Sequence, residues 1–304
     1  MSKAKARQPT GQSGFVRTFD SITTRNSYWE RWQDMIQIFA IELVNHLDLD
    51  NYETRAEIYR HIQDKYTKEE FEVFGVLLTQ LIKELERDAF QDFLGKMYME
   101  LNLGDAQKGQ FFTPRSVCRL MAQTTIMSNA PDAIEDHGYV TIDDPACGGG
   151  ATLIAAAETL YKNGINYQTH AWFVAQDLDY TAALMCYVQL GLIGCPGYIR
   201  IADTLKTPDT GRGGLTLPTG SNIWPLPSTY LQPVWIERLK IQKLAERINA
   251  QRAVLNNGAH AIKPAAPAAV QDKNKPASKD DGRQFRMPNA FKTAESIMEL
   301  AGIK

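Results

Sequence analysis

The sequence predicts an α/β protein, a parallel sheet covered by helices, preceded by an all-helical segment. Three observations carry that reading. Over residues 109–205, apolar runs of strand length at Val140–Ile142, Trp172–Ala175 and Tyr198–Ile201 alternate with helical segments at Ser116–Met127, Ala151–Tyr161 and Tyr180–Gly191, and such alternation builds a parallel sheet. The ~90 residues before them carry helical periodicity alone. Between the first strand and its helix lies Asp144-Pro145-Ala146-Cys147-Gly148-Gly149-Gly150. An acid at a strand end, glycines that let the backbone approach a ligand, and a helix N-terminus together form the seat that α/β proteins offer a cofactor.

Taken in order, residues 1–14 read as a disordered lead. From Tyr28, apolar residues at Trp29, Trp32, Ile36, Phe39, Leu43 and Leu47 mark one face of a helix. Helical pattern continues over Tyr52–Lys65, Lys68–Arg87 and Phe90–Leu103, and Thr67 with Glu70 offers a capping box for the third of these four helices. After the strand–helix alternation, Lys206–Pro227 is rich in Gly, Pro, Thr and Ser and reads as a long loop. A helix over Pro233–Leu255 follows, with Ile241, Leu244, Ala245, Ile248 and Leu255 on one face. The Ala-, Pro-, Lys- and Asp-rich stretch 257–284 reads as a disordered linker, and Ala290–Ile303 as a short terminal helix. The expected division is a lead (1–14), a helical domain (15–105), a cofactor-binding domain (106–230), a C-terminal helix (231–256), and a linker with a short helix (257–304).

Composition excludes several classes. Of 304 residues, 44% are hydrophobic and 22% charged, an ordinary soluble balance. No apolar run approaches the ~18 residues of a membrane span, and Met1–Gln12 is polar and basic without a secretory core, so a cytoplasmic protein is expected. Four cysteines, Cys118, Cys147, Cys186 and Cys195, lack metal-ligand spacing and are expected to be reduced thiols. The net charge of −2 announces no whole-protein attraction to nucleic acid. One stretch does gather cations: Arg238, Lys240, Lys243, Arg247 and Arg252 stand against only Glu237 and Glu246. It is either a nucleic-acid surface or a solvated helix face.

Further motifs sharpen the cofactor reading. Gly148-Gly149-Gly150 does not give the G-x-G-x-x-G spacing of dinucleotide sites, because Leu153 occupies the sixth position. Upstream lies Gly109-Gln110-Phe111-Phe112-Thr113-Pro114-Arg115, in which Thr113 can cap a helix with Pro114 at its first position. Before that comes Asp92-Phe93-Leu94-Gly95-Lys96-Met97-Tyr98. Asp177 ends the second strand, where a carboxylate can accept both hydroxyls of a ribose, and Asp203 follows the third in Ala202-Asp203-Thr204-Leu205.

Over about residues 85–205 these motifs, in this order, resemble the S-adenosylmethionine-dependent adenine-N6 DNA methyltransferases of the γ arrangement, in particular the modification subunits of type I restriction systems. The resemblance implies a Rossmann-like class I methyltransferase sheet, truncated here, with S-adenosylmethionine as cofactor and DNA as partner, directly or through a partner subunit. It implies that the turn at Phe111, Phe112, Thr113 and Pro114 lies against the methionine part of the cofactor. The loop at Asp144, Pro145, Ala146, Gly148 and Gly150 would receive the cofactor, Asp177 its ribose, Leu178 the adenine face and Asp203 the adenine amino group; Ala202 replaces the family's glycine.

The family flips its target base and polarises the amino group with Asn-Pro-Pro and an aromatic residue. This sequence contains no Asn-Pro-Pro. Asn222-Ile223-Trp224-Pro225 is the nearest candidate, with Asn222 and Trp224 as the catalytic pair, and its other reading is a Pro/Gly-rich surface loop anchored by Trp224. Two functions therefore stand open: methyl transfer to adenine N6 in DNA, or a catalytically inactive binding or regulatory subunit of a nucleic-acid or restriction-modification complex.

Overall fold

The structure, a computed structural model, describes residues 11–45, 47–101, 103, 113–208 and 215–258. Phe111 and Phe112, and the expected linker and terminal helix beyond 258, lie outside the described residues.

Among the described residues five α-helices come first: α1 (Gly11–Asp20), α2 (Tyr28–Val44), α3 (Tyr52–Gln63), α4 (Lys68–Arg87) and α5 (Phe93–Glu100). The first begins at Gly11, inside the stretch expected to be disordered. Two capping boxes start the longer helices. Thr67 and Glu70 close α4 as the sequence indicated, and Ser27 and Glu30 do the same for α2. Each box satisfies two amide groups that a helix start leaves without a partner. The buried face of α2 includes Trp32, Met35, Ile36, Phe39 and Val44.

Next come α6 (Arg115–Thr125) and α7 (Ala130–His137), then the alternation β1 (Val140–Asp144), α8 (Ala151–Lys162), α9 (Tyr167–His170), β2 (Ala171–Asp177), α10 (Tyr180–Leu192) and β3 (Gly197–Ile201). These three strands are parallel, with Asp144 opposite Ala175 and Asp177 opposite Ile201. The central strand, β2, is buried along nearly its whole length, as a parallel strand covered on both faces must be. Almost every residue of α10 is buried too. An apolar helix of that kind belongs inside a core, and α10 lies between the sheet and α2. One apolar core consequently runs without a break from Phe15 of α1 to Trp224.

At Gly197, φ is +133° and an added Cβ would lie 1.8 Å from the Phe173 carbonyl oxygen. Only glycine starts β3 against β2 in that way.

The expected loop over 206–227 contains a short strand, β4 (Ile223–Pro225), which pairs antiparallel with β3 at the sheet edge. Proline is tolerated there because an edge strand has a side that needs no amide donor. Among the described residues the sheet order is β1-β2-β3-β4. Two helices close the described chain, α11 (Ser228–Leu231) and α12 (Pro233–Gly258).

The start of α12 is anchored. Trp235 is buried beside Trp172 and Tyr139, and its indole N–H donates to the Gln168 carbonyl at 2.6 Å. Arg238 corrects the picture of one basic face. Its guanidinium stacks over Trp235 and Tyr139 and donates to the carbonyls of Thr169 and Gly138. Lys240, Lys243, Arg247 and Arg252 are exposed, as are Ile241, Leu244 and Ile248 on the apolar stripe. No helix among the described residues is long and apolar enough to cross a membrane.

Candidate cofactor-binding edge

The parallel strands β1, β2 and β3 end side by side, and each carries a carboxylate at or just past its end: Asp144, Asp177 and Asp203. The glycine loop between β1 and α8 is folded onto this edge by its own polar groups. The Asp144 carboxylate accepts from the Ala146 N–H at 3.0 Å and from the Thr152 hydroxyl, closing the turn that Pro145 begins. Cys147 N–H donates to the Gln176 carbonyl at 3.0 Å, and the Thr204 hydroxyl donates to the Pro145 carbonyl. Gly148 N–H then donates to the Asp177 carboxylate at 2.8 Å. Loop, second strand and the turn after the third strand are thus fastened together.

Glycine is required in this loop. Gly148 and Gly150 have φ of +51° and +93°, conformations that side chains rarely adopt. A Cβ on Gly150 would also lie 2.9 Å from the Cys186 Sγ and 3.3 Å from its Cα. The loop rests directly on the backbone of α10.

The three carboxylates differ in environment. Asp177 is held by two amides, Gly148 N–H and Asp179 N–H, each at 2.8 Å. Burial nonetheless pushes its carboxyl above the ordinary range, because desolvation outweighs those hydrogen bonds. Asp203 lies at the surface, where a hydrogen bond from Lys206 holds its carboxyl below the ordinary range. Asp144 spends one oxygen on the loop at the Ala146 N–H and the other on the Thr152 hydroxyl of α8. Beside Asp177, Leu178 is 70% exposed, an apolar side chain standing open at the strand tip. Three acids along one edge repel a pyrophosphate and suit a ligand that presents hydroxyls, amino groups or a cation.

A cavity of about 300 Å³ adjoins the loop, between α5, the segment from Thr113 to Arg115 and the first turns of α8. Thr113 and Pro114 line it, as do Asp92, Ala151 and Ile154.

Asn222 and Trp224 are placed apart from that cavity. Asn222 lies at the outer side of β3, where its carbonyl accepts from Ile201 N–H and its side-chain amide donates to the Ile201 carbonyl at 3.3 Å. Trp224 is only 2% exposed. Its ring packs on Tyr187 and under the Arg55 guanidinium, 4.3 Å from the ring centre. Arg55 is itself buried, paired with Asp48 at 2.7 Å and bonded to the Ile223 carbonyl. One face of the supposed base-stacking ring is covered by Arg55, and the buried ring offers no open surface to a base. Its strand pairs with β3 and runs antiparallel to the others, so Trp224 is a core residue and the loop-anchor alternative describes it better.

Sequence reasoning missed two residues that hold this edge. Gln189, fully buried in α10, accepts from Leu94 N–H at 3.0 Å and donates to Asp92 at 2.9 Å and to the Gly149 carbonyl at 2.8 Å. A glutamine inside an otherwise apolar helix was the available signal. Glu158 of α8 gathers Arg119, Lys162 and, at 3.5 Å, Arg115. Arg115 also pairs with Asp88, so the segment entering α6 is tied to both α4 and α8.

Residues 87–216 match the N-6 DNA methylase family. Over 176 residues the chain is 27% identical to the type I restriction enzyme MjaIX methylase subunit of Methanocaldococcus jannaschii. That match covers 58% of this chain and 27% of the relative, so the chain spans about a quarter of the relative's length. Within this segment the chain resembles the N6-adenine DNA methyltransferases and is a homologue of a type I restriction methylase subunit.

Proposed function

We propose that this protein binds S-adenosylmethionine at the carboxylate edge of β1–β3 and serves as the cofactor-holding part of a DNA adenine-N6 methyltransferase. The observation that carries the reading is the hydrogen bond from Gly148 N–H to Asp177, which sets a positive-φ glycine loop directly against an acid at the end of the neighbouring parallel strand. In this reading Asp177 turns its remaining lone pairs to the ribose hydroxyls, Leu178 covers one face of the adenine, and ionised Asp203 accepts from the adenine amino group. Thr113 and Pro114 close the methionine side, with Phe111 and Phe112 assigned there by the family resemblance alone. Pro145, Ala146, Gly148 and Gly150 form the floor. When bound, the cofactor would supply a sulfonium methyl group for direct transfer to the adenine amino nitrogen.

Asn222 and Trp224 are not proposed for base handling. The burial of Trp224 and the absence of Asn-Pro-Pro favour a binding component whose adenine-polarising groups come from a partner. DNA is reached through that assembly, and exposed Lys240, Lys243, Arg247 and Arg252 are the basic groups available on α12.

Titration calorimetry tests the first step. Micromolar binding of S-adenosylmethionine that is lost in Asp177→Ala supports the reading, and a wild-type protein blind to the cofactor refutes it. Incubation with tritiated cofactor and unmethylated DNA separates the two functions. Label transferred by the isolated chain would make it a complete enzyme, against the component reading.

A further inference from the structure

The cavity beside the glycine loop contains a charge that the cofactor edge described above does not use. Asp92 lines it, caps α5 by accepting from Gly95 N–H at 2.9 Å, and is held from behind by Gln189. The same Gln189 amide holds the Gly149 carbonyl. Its orientation is determined, because Oε1 takes Leu94 N–H and only the NH₂ end can serve two acceptors. Asp92 and the glycine loop are therefore fixed relative to one another through one buried side chain. Gly95 is what permits this packing, since a Cβ there would lie 2.1 Å from the Asp92 Oδ2.

Both Asp92 bonds that hold it run to Oδ1, and no hydrogen bond to Oδ2 is present among the described residues. Burial pushes its carboxyl above the ordinary range, although the bonds from Gln189 and Gly95 N–H and the nearby Lys96 charge pull the other way. Lys96 stands exposed on the cavity rim without an ion pair among the described residues. Ala151, Ile154 and Pro114 line the same cavity and suit a short methylene chain. One anion, one cation and an apolar strip fit the zwitterionic end of an α-amino acid.

Building on the proposed cofactor function, we infer that Asp92, positioned by Gln189, is a specificity residue that receives the α-ammonium group at the amino-acid end of the cofactor. Lys96 balances the carboxylate of the same group.

Asn caps a helix as well as Asp does, so Asp92→Asn removes the charge while keeping the bonds to Gly95 and Gln189. The probes are S-adenosylhomocysteine and its analogue with hydrogen in place of the α-amino group, titrated calorimetrically against the full chain. The wild type is expected to prefer the amine by about tenfold to a hundredfold, the span of a charge-assisted hydrogen bond. Asp92→Asn is expected to bind both alike, with unchanged affinity for the des-amino analogue. A variant that keeps the wild-type preference, or that weakens both ligands equally, overturns the assignment and leaves the cofactor site standing. A wild-type protein that binds neither ligand overturns the cofactor reading itself.

Discussion

Gly150→Ala is the sharpest perturbation of the loop, and its cost divides into two parts. The backbone at φ +93° puts an alanine in a region that L-residues avoid, at about 1–2 kcal/mol. The new methyl would also sit 2.9 Å from the Cys186 Sγ and 3.3 Å from its Cα. The sulfur lies on a helix packed on all sides, so relief requires a shift of α10 or of the loop, at about 1–3 kcal/mol for overpacking. The total of about 2–5 kcal/mol is a large share of a typical ~5–15 kcal/mol. At ~2–4 °C per kcal/mol, the melting temperature falls by roughly 4–20 °C. Cys186→Ala separates the parts. It deletes the nearest atom and costs about 1 kcal/mol alone, yet in the double variant it restores much of the packing share. The double variant is therefore more stable than the sum of the single changes indicates. Thermal melts of the four proteins form a double-mutant cycle. Strict additivity refutes the contact between loop and helix, and a Gly150→Ala melt equal to wild type refutes the conformational argument as well.

Trp224→Ala is expected to cost about 3–5 kcal/mol, the penalty for emptying an aromatic core position; an unchanged melt would return Trp224 to the surface. Glu158→Gln should destabilise by about 1–2 kcal/mol, below the ~3–5 for a fully buried pair, because Arg115, Arg119 and Lys162 are all more than 30% exposed and can turn to water. Burial opposes ionisation of Glu158, but hydrogen bonds from Arg119 and Lys162 and the nearby guanidinium groups hold its carboxyl below the ordinary range. That stabilisation is present above the unfolded carboxylate pKa and disappears as pH falls through the depressed folded value. The stability gap between wild type and Glu158→Gln, read from urea melts, should therefore close with acidification, and a constant gap contradicts the ion-pair account. Burial raises the Asp177 carboxyl, so cofactor affinity should begin to fall at a pH above the ordinary carboxylate range; titrations flat down to about pH 4 would remove Asp177 from the site.

The helices were legible because their signals are local. The three- and four-residue spacing from Tyr28, and Thr67 with Glu70, specify α2 and α4 without help from the rest of the chain. The parallel strands were legible for a related reason: a strand buried on both faces is an unbroken apolar run, as in Trp172–Ala175. Long-range features were hidden. Ile223-Trp224-Pro225 is too short and too rich in proline to read as a strand, and it becomes one through β3 and through Arg55, 168 residues away. The basic stretch misled because charge does not reveal direction. Arg238 faces Tyr139 and Trp235, while Lys240 faces water. The motif residues Asp144, Asp177 and Asp203 could be found in the sequence, but Asp144 turned out to tie the loop's own turn to the start of α8 with its two oxygens.

The helical segment and the glycine loop behave as one mechanical unit, which explains why this sheet needs so much helix in front of it. A glycine loop gains access to a ligand by giving up side chains, and with them its own packing. Something else must hold it. Here Asp144 holds its start at the Ala146 N–H, Asp177 its middle at the Gly148 N–H, and Gln189 its end at the Gly149 carbonyl. Gln189 is set in turn by Leu94 N–H and Asp92 from the helical segment, while α2 presses α10 against the sheet. Removing the helices would leave a buried glutamine with its carbonyl oxygen and part of its amide unpaired, about 1–3 kcal/mol for each unsatisfied group, and would expose the apolar flank of α10. A fragment beginning at Thr113, without α1–α5, should therefore fail to bind the cofactor even with every loop residue present. Binding by such a fragment with wild-type affinity would show that the loop holds its shape unaided.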